Sequence, residues 1–101
     1  MKIKKIIIKD ELGKVLFKGP LLNLTYKKDA IKRTCIELFN DDDPCIIHES
    51  YAIQKLSDDI ERSLLSTNQK TFQIDQQFQK TYANIDFSLY DKCLLELEVK
   101  K

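Results

Sequence analysis

Glycine and proline are scarce in this chain, which has two of each among 101 residues. Because these residues interrupt helices and strands, their scarcity indicates that most of the chain lies in regular elements joined by short turns. Gly13 and Gly19 are the only glycines. The glycine-rich loops that hold phosphate groups and dinucleotides are therefore excluded.

Long apolar runs are also missing, and none approaches the roughly 20 residues that span a bilayer. Lysines precede the run Ile6-Ile7-Ile8 as they do in a signal peptide, but Lys9 and Asp10 end that run and no small-residue cleavage site follows. The cysteines, three in all, have no tandem spacing, which is typical of reduced thiols rather than of a disulfide framework. We therefore expect a cytoplasmic protein without a membrane partner.

The charged residues are sorted along the sequence, although the net charge is only +1. Residues 1–33 contain ten Lys or Arg and three acids, for a net charge of +7. Residues 34–61 contain one Lys and eight acids, for −7, and residues 62–101 add +1. Such a layout would let a small protein offer faces of opposite charge to different partners.

The N-terminal third predicts a β-hairpin followed by a helix. Lys2 to Asp10 is rich in β-branched residues, and Lys14 to Lys18 alternates behind a turn at Gly13, so the two segments should pair as antiparallel strands. Residues 21–24 read as an extended connection. Lys27 to Phe39 then has helical spacing, with Ile31, Cys35 and Leu38 on one stripe.

A second helix and further strands are predicted beyond the break at residues 40–44. The segment 45–48 reads as a short buried strand or as an extended entry, and Ser50 as the N-cap of a helix over 51–65. That helix carries the apolar stripe Ile53, Leu56, Ile60 and Leu64. Residues 70–80 fit a strand or a loop. Alternation over 83–90 and again over 93–99 predicts a β-meander or hairpin.

These elements predict one small α+β domain over residues 1–101. It has two layers, with two amphipathic helices packed on a mainly antiparallel sheet of four to five strands, in the order ββ-α-(β)-α-β(β)β. The strand order within the sheet does not follow from the pattern.

Cys45 and His48 are the residue pair that comes closest to the pattern of a metal-binding or catalytic site. Their spacing suits a zinc ligand pair, but a structural site needs four ligands, and the remaining thiols, Cys35 and Cys93, lie on apolar stripes. A cysteine nucleophile would have to use His48, the only histidine. In a strand, Cys45 and His48 would point to opposite faces. A thiol or zinc site around Cys45 and His48 is thus an alternative reading.

The acidic run Asp41-Asp42-Asp43 lacks the glycine and the terminal glutamate of a calcium-binding loop, so it reads as a solvated loop. The lysines of the N-terminal hairpin and the first helix would form a phosphate-binding patch if they share a face, which makes nucleic-acid binding a second alternative. Few exposed aromatic residues accompany them for base stacking.

No catalytic constellation or cofactor motif stands out, so we predict a non-enzymatic interaction or regulatory domain without cofactor or metal. It would bind a protein partner through charge-segregated faces, a homodimer being one form of this. The residues predicted to contact the partner are Lys4, Lys9, Lys14, Lys18, Lys28, Lys32, Arg33, Asp41, Asp42, Asp43, Asp58 and Asp59.

Overall fold

The computed structural model describes residues 2–100, which form one four-stranded sheet and three helices. The strands are β1 (Lys2–Asp10), β2 (Val15–Gly19), β3 (Thr71–Gln73) and β4 (Cys93–Lys100). The helices are α1 (Lys28–Phe39), α2 (Ile46–Leu65) and α3 (Gln76–Thr81), with 3₁₀ turns at Leu21–Asn23 and Phe87–Leu89. All neighbouring strands are antiparallel, in the order β2-β1-β4-β3. The predicted α+β class and two-layer arrangement are confirmed.

Strand β1 lies at the centre of the sheet because it pairs with both β2 and β4. Its side chains alternate between faces, so Ile6 and Ile8 are completely buried while Ile7 between them stays half-exposed. Leu95 on β4 stands opposite Ile8 and is equally buried. The first and last strands of the chain thereby share one apolar face, which forms the floor of the core.

The predicted β1–β2 hairpin is present, and its turn is held by Asp10. The buried carboxylate of Asp10 accepts hydrogen bonds from the backbone N–H groups of Leu12 and Lys14, both at 2.9 Å. Gly13 has φ of +85°, a conformation that residues with a Cβ rarely adopt. The glycine that the sequence predicts as a turn residue therefore stands at the position where the turn requires a positive φ.

Helix α2 covers the sheet with the stripe that its spacing predicts. Ile53, Leu56, Ile60 and Leu64 all pack against the core. Helix α1 packs chiefly on α2. The two helices are antiparallel, because Cys35 near the end of α1 contacts His48 near the start of α2, and Tyr26 before α1 bonds to Ser57 farther along α2.

The segment 45–48 is not a strand, and Ser50 is not a helix cap. Cys45 is the N-cap of α2, and the helix already begins at Ile46. The hydroxyl of Ser50 lies one turn inside the helix and donates to the carbonyl oxygen of Ile46 at 3.1 Å. The apolar residues Ile46 and Ile47 predict burial, but they lie on the first turn of α2 and are exposed, and the helix packs on the core through the stripe that begins at Ile53.

The strand predicted over 83–90 is also absent, and this segment is a loop that ends in a 3₁₀ turn. Its apparent alternation arises because Phe87 is buried while Ile85 packs beside the core from irregular backbone. Before it lies α3, whose N-cap Asp75 accepts from the backbone N–H of Phe78 at 2.8 Å. Tyr82 joins these pieces, since its buried ring contacts the rings of Phe17, Phe78 and Phe87.

No helix among residues 2–100 combines the length and the apolar character that a transmembrane span requires.

The isoleucine run of β1 offers a matched test of the sheet's orientation. Replacing buried Ile8 by Ala should destabilise the fold by about 2–5 kcal/mol, because it leaves a cavity under α2. Ile7→Ala should cost markedly less, since Ile7 is on the opposite, half-exposed face. Chemical denaturation of both variants measures the difference. Equal losses would contradict the assignment of faces.

Candidate protein-interaction surface

The connection between α1 and α2 begins with a defined helix stop. Asn40 caps α1 in the left-handed conformation, with φ of 52°, and its N–H bonds to the carbonyl oxygen of Ile36 at 2.8 Å. Asparagine tolerates this conformation better than most residues. The three aspartates that follow would be unfavourable inside the last turn of a helix, because the dipole is already negative there.

Asp41 ties this connection to the first turn of α2. One of its carboxylate oxygens accepts from the backbone N–H of Asp43 at 3.0 Å, and the other lies 2.8 Å from Nδ1 of His48. A carboxylate only accepts, so Nδ1 of His48 carries the proton. The hydrogen bonds from His48 and Asp43 lower the pKa of Asp41 below its usual range.

Phe39 stacks on the other side of the same imidazole. The rings of Phe39 and His48 are nearly parallel, with centroids 4.0 Å apart. Tyr51, one turn further along α2, meets Phe39 edge-on at 6.0 Å. Below them the thiol of Cys35 donates to the carbonyl oxygen of His48 at 3.6 Å, and burial raises the pKa of that thiol. The connection is thus held by polar bonds, ring stacking and one buried thiol.

Large apolar side chains are nevertheless exposed around this connection. Ile46 is 84% exposed, Ile47 65% and Tyr51 61%, and the last turn of α1 adds less exposed residues. We call this group the apolar hairpin end: Ile36, Leu38, Phe39, Ile46, Ile47 and Tyr51. Single exposed apolar residues are ordinary, and a group of them at one end of a small protein is a candidate interaction surface.

The charged side chains of the segment that carries the apolar hairpin end are all acidic. No Lys or Arg occurs between residues 34 and 54. The exposed acids there are Glu37, Asp42, Asp43 and Glu49. A partner for this surface would need apolar contacts and positive charge.

Two of the hairpin lysines predicted to contact a partner are instead paired across the sheet. The ammonium group of Lys4 lies 3.5 Å from Glu98, and that of Lys9 lies 3.2 Å from Glu96. Lys5 also pairs with Glu98 at 3.1 Å, and this contact lowers the pKa of the carboxyl. The glutamates come from β4, far away in sequence, so the basic hairpin is partly neutralised in the folded chain.

The other predicted contact residues are placed as follows. Lys14 and Lys18 are exposed on and beside the edge strand β2, while Lys28, Lys32 and Arg33 are exposed on α1. Within residues 2–100 none of these five side chains, and neither Asp42 nor Asp43, makes an ion pair. Asp58 accepts from Gln54 at 2.9 Å, and Asp59 pairs with Lys55 at 2.7 Å and with Arg62 at 3.7 Å.

The antiparallel helix pair also brings opposite charges near each other. The basic start of α1 lies beside the middle of α2, because Tyr26 just before α1 bonds to Ser57, the neighbour of Asp58, at 2.9 Å. The acidic connection at residues 41–43 lies at the opposite end of α1. The cations at the start of α1 therefore lie near acids of α2, and the acidic connection forms a separate negative group at the other end of α1.

The thiols do not converge on the imidazole. Cys45 is exposed at the N-cap of α2. Cys35 is buried on the inner side of α1, and Cys93 is buried in the sheet. The Nδ1 atom of His48 is occupied by Asp41. Among the described residues there is no group of three or more His, Cys, Asp or Glu side chains arranged to hold a metal ion.

A second surface feature is a groove of about 510 Å³ between α2 and α3. Its walls are mainly apolar, with Ile60, Leu64, Phe72 and Phe78 prominent among them. Asp59 and Asp75 stand at its rim, and Asp75 is used as the cap of α3. Hydroxyl and amide side chains also line it, among them Ser63, Gln73 and Gln77.

Sequence reasoning missed the apolar hairpin end, since it assigned Ile46 and Ile47 to a short buried strand or to an extended entry into the next helix. A signal was present in the spacing. If the helix is extended back to residue 46, Ile47 and Tyr51 fall on the same side as Asp58, opposite the inward stripe. Apolar residues on the polar face of an amphipathic helix are the pattern that points to a contact surface.

We expect low pH to destabilise the apolar hairpin end, because Asp41 then becomes protonated. Its folded-state pKa lies below the ordinary value of 3.8, so its stabilising effect is present above that value and is lost as the pH falls through the folded-state pKa. Asp41→Asn should therefore lower stability near neutral pH and flatten the loss of stability in acid. Asp42→Asn, which removes an exposed carboxylate without contacts, is the matched control. Denaturant unfolding at several pH values compares them, and identical profiles would contradict the role of Asp41.

Compared with known proteins, the chain matches no family model, no curated protein and no solved structure.

Proposed function

We propose that this protein is a non-catalytic interaction domain that binds a protein partner through the apolar hairpin end and its acidic rim. The single observation that carries the proposal is the exposure of Ile46, Ile47 and Tyr51 beside a stretch without a positive charge. Water-exposed apolar area of this kind is stabilised when a partner covers it.

The order of the hairpin end supports binding without large rearrangement. Asp41, His48 and Phe39 hold the loop against α2 through a 2.8 Å hydrogen bond and a 4.0 Å ring stack. A surface that is ordered before binding loses less conformational freedom when the complex forms. Tyr51 and Phe39 are also of the residue class that concentrates binding energy at the centre of interfaces.

The acidic rim indicates which kind of partner surface would bind. Exposed Asp42, Asp43 and Glu49 would speed encounter with a positively charged surface and would repel acidic ones. The partner face that fits is therefore apolar at its centre and basic around it. Because rim charges act through solvent, binding should weaken as salt increases.

Site-specific photo-crosslinking tests the proposal. A photoreactive phenylalanine analogue replaces Ile47, and the protein is irradiated in extracts of its source cells. We expect one protein to be captured from this position, to be identified by mass spectrometry, and to bind again when purified. The matched control carries the same analogue at Leu89, which is 73% exposed in the 3₁₀ turn outside the hairpin end.

A point variant then separates the surface from the fold. Ile47→Asp should weaken binding of the purified partner by about tenfold or more, while its thermal unfolding stays close to that of the unaltered chain, because the residue makes little contact with the core. Equal capture from positions 47 and 89, or full binding by the Ile47→Asp variant, would overturn the proposal.

Nucleic-acid binding is the second candidate, favoured by the exposed and unpaired Lys28, Lys32 and Arg33 on α1. Since Lys4 and Lys9 are engaged with glutamates, the remaining cations form a smaller patch than the sequence suggested. If this candidate is right, oligonucleotides should bind at low salt and dissociate steeply as salt rises. Unchanged anisotropy of a labelled oligonucleotide at low salt would dismiss it.

A further inference from the structure

The outward face of α1 carries both charge signs at opposite ends. Lys28, Lys32 and Arg33 are exposed on its first two turns, and Ile36 and Phe39 are partly exposed on its last turn. The exposed acids Asp42 and Asp43 follow directly after the helix ends at Phe39. From the start of α1 to the connection after it, the exposed surface thus changes from mainly basic, with Asp29 as an exception, to apolar and then to acidic.

We propose that a second copy of this chain is the partner, and that two copies pair through antiparallel α1 helices about a two-fold axis. This inference rests on the proposed function and names its partner. With the axis close to Ile36, the basic start of α1 in one copy lies along the acidic connection of the other. Lys32 and Arg33 then face Asp42 and Asp43 of the second copy, and the symmetry makes the same contact twice.

Helix geometry allows this register. Each residue of an α-helix advances the chain by about 1.5 Å. Lys32 is four residues before Ile36, about 6 Å along the axis, and Phe39 is three residues after it, about 4.5 Å. An antiparallel partner centred at Ile36 therefore sets Lys32 beside the point where α1 of the other copy ends and the acidic connection begins. Lys28, Lys32 and Ile36 are also spaced by four residues, which puts them on one side of the helix.

The freedom of α1 to accept a second helix follows from its packing. Its inward residues Ala30, Thr34 and Cys35 are buried, and its main neighbour is α2. Its outward side chains make no ion pair within residues 2–100, so pairing with a second copy would break none of the described salt bridges. The apolar residues Ile36 and Phe39 would lose water at the centre of the contact.

Charge also decides between the possible symmetric arrangements. A pairing of the two hairpin ends would set Asp42 and Asp43 of both copies against one another, and a parallel pairing of α1 would add repulsion between the lysines. Like charges in direct opposition disfavour an interface. Only the antiparallel pairing of α1 sets opposite charges against each other at both ends of the interface.

Light scattering coupled to size exclusion tests the proposal with charge-swapped variants. The unaltered protein should have twice the mass of one chain at low salt and should dissociate as salt rises. The variants K32E/R33E and D42K/D43K should each be monomeric, because each places like charges opposite one another. An equimolar mixture of the two should recover the doubled mass. The chain that carries all four changes should also dimerise by itself.

The control variant is K14E/K18E, which reverses two exposed lysines near strand β2 and should leave the mass doubled. Circular dichroism confirms that each variant is folded. A monomeric unaltered protein at every concentration, or a mixture that stays monomeric, would overturn the antiparallel dimer. Capture of a different protein from position 47 would then show that the interaction domain stands while its partner is not a second copy.

Discussion

The pairing of β1 with β4 is the interaction on which the rest of this structure depends. These two strands come from opposite ends of the sequence, and their register places Ile8 beside Leu95 on the inner face and Ile7 beside Glu96 on the outer face. Because side chains alternate strictly, a slip of one residue would turn the isoleucines outward and expose the core. The position of α2, and through it of α1, follows from this one apolar floor.

The same pairing redistributes charge. On the outer face it brings Glu96 and Glu98 against the hairpin lysines, so that charges separated by most of the chain neutralise each other locally. Lys18 on the edge strand β2 also discourages unwanted strand association. Part of the basic character of the N-terminal third is therefore explained by the stability and solubility of the sheet, and Lys28, Lys32 and Arg33 on α1 are among the described cations that remain unpaired for the proposed partner.

The helix hairpin is built in a contrasting way. Its inner side fills the core, while its free end is ordered by a small number of specific contacts around His48. Phe39 contributes to that order and remains partly exposed, so one residue both stabilises the connection and presents apolar surface. A loop that only had to join two helices would not need a stacked imidazole, a buried thiol and a bridging carboxylate. This concentration of contacts orders the end of the hairpin, as the proposed binding role requires.

The sequence by itself determined the hairpin at Gly13, the extent of α1, the inward stripe of α2 and the last strand. Each of these depends on local periodicity or on one conformationally demanding residue, so the information lies within a few turns of chain. It did not determine the first turn of α2, because the apolar residues Ile46 and Ile47 predict burial although they face water, and the spacing that places Ile47 outward is evident only once the helix is extended back to residue 46. The tertiary structure alone decided the irregular path of the loop at 83–90 and which lysines meet glutamates. Both outcomes depend on contacts between segments far apart in the chain, for which no local pattern exists.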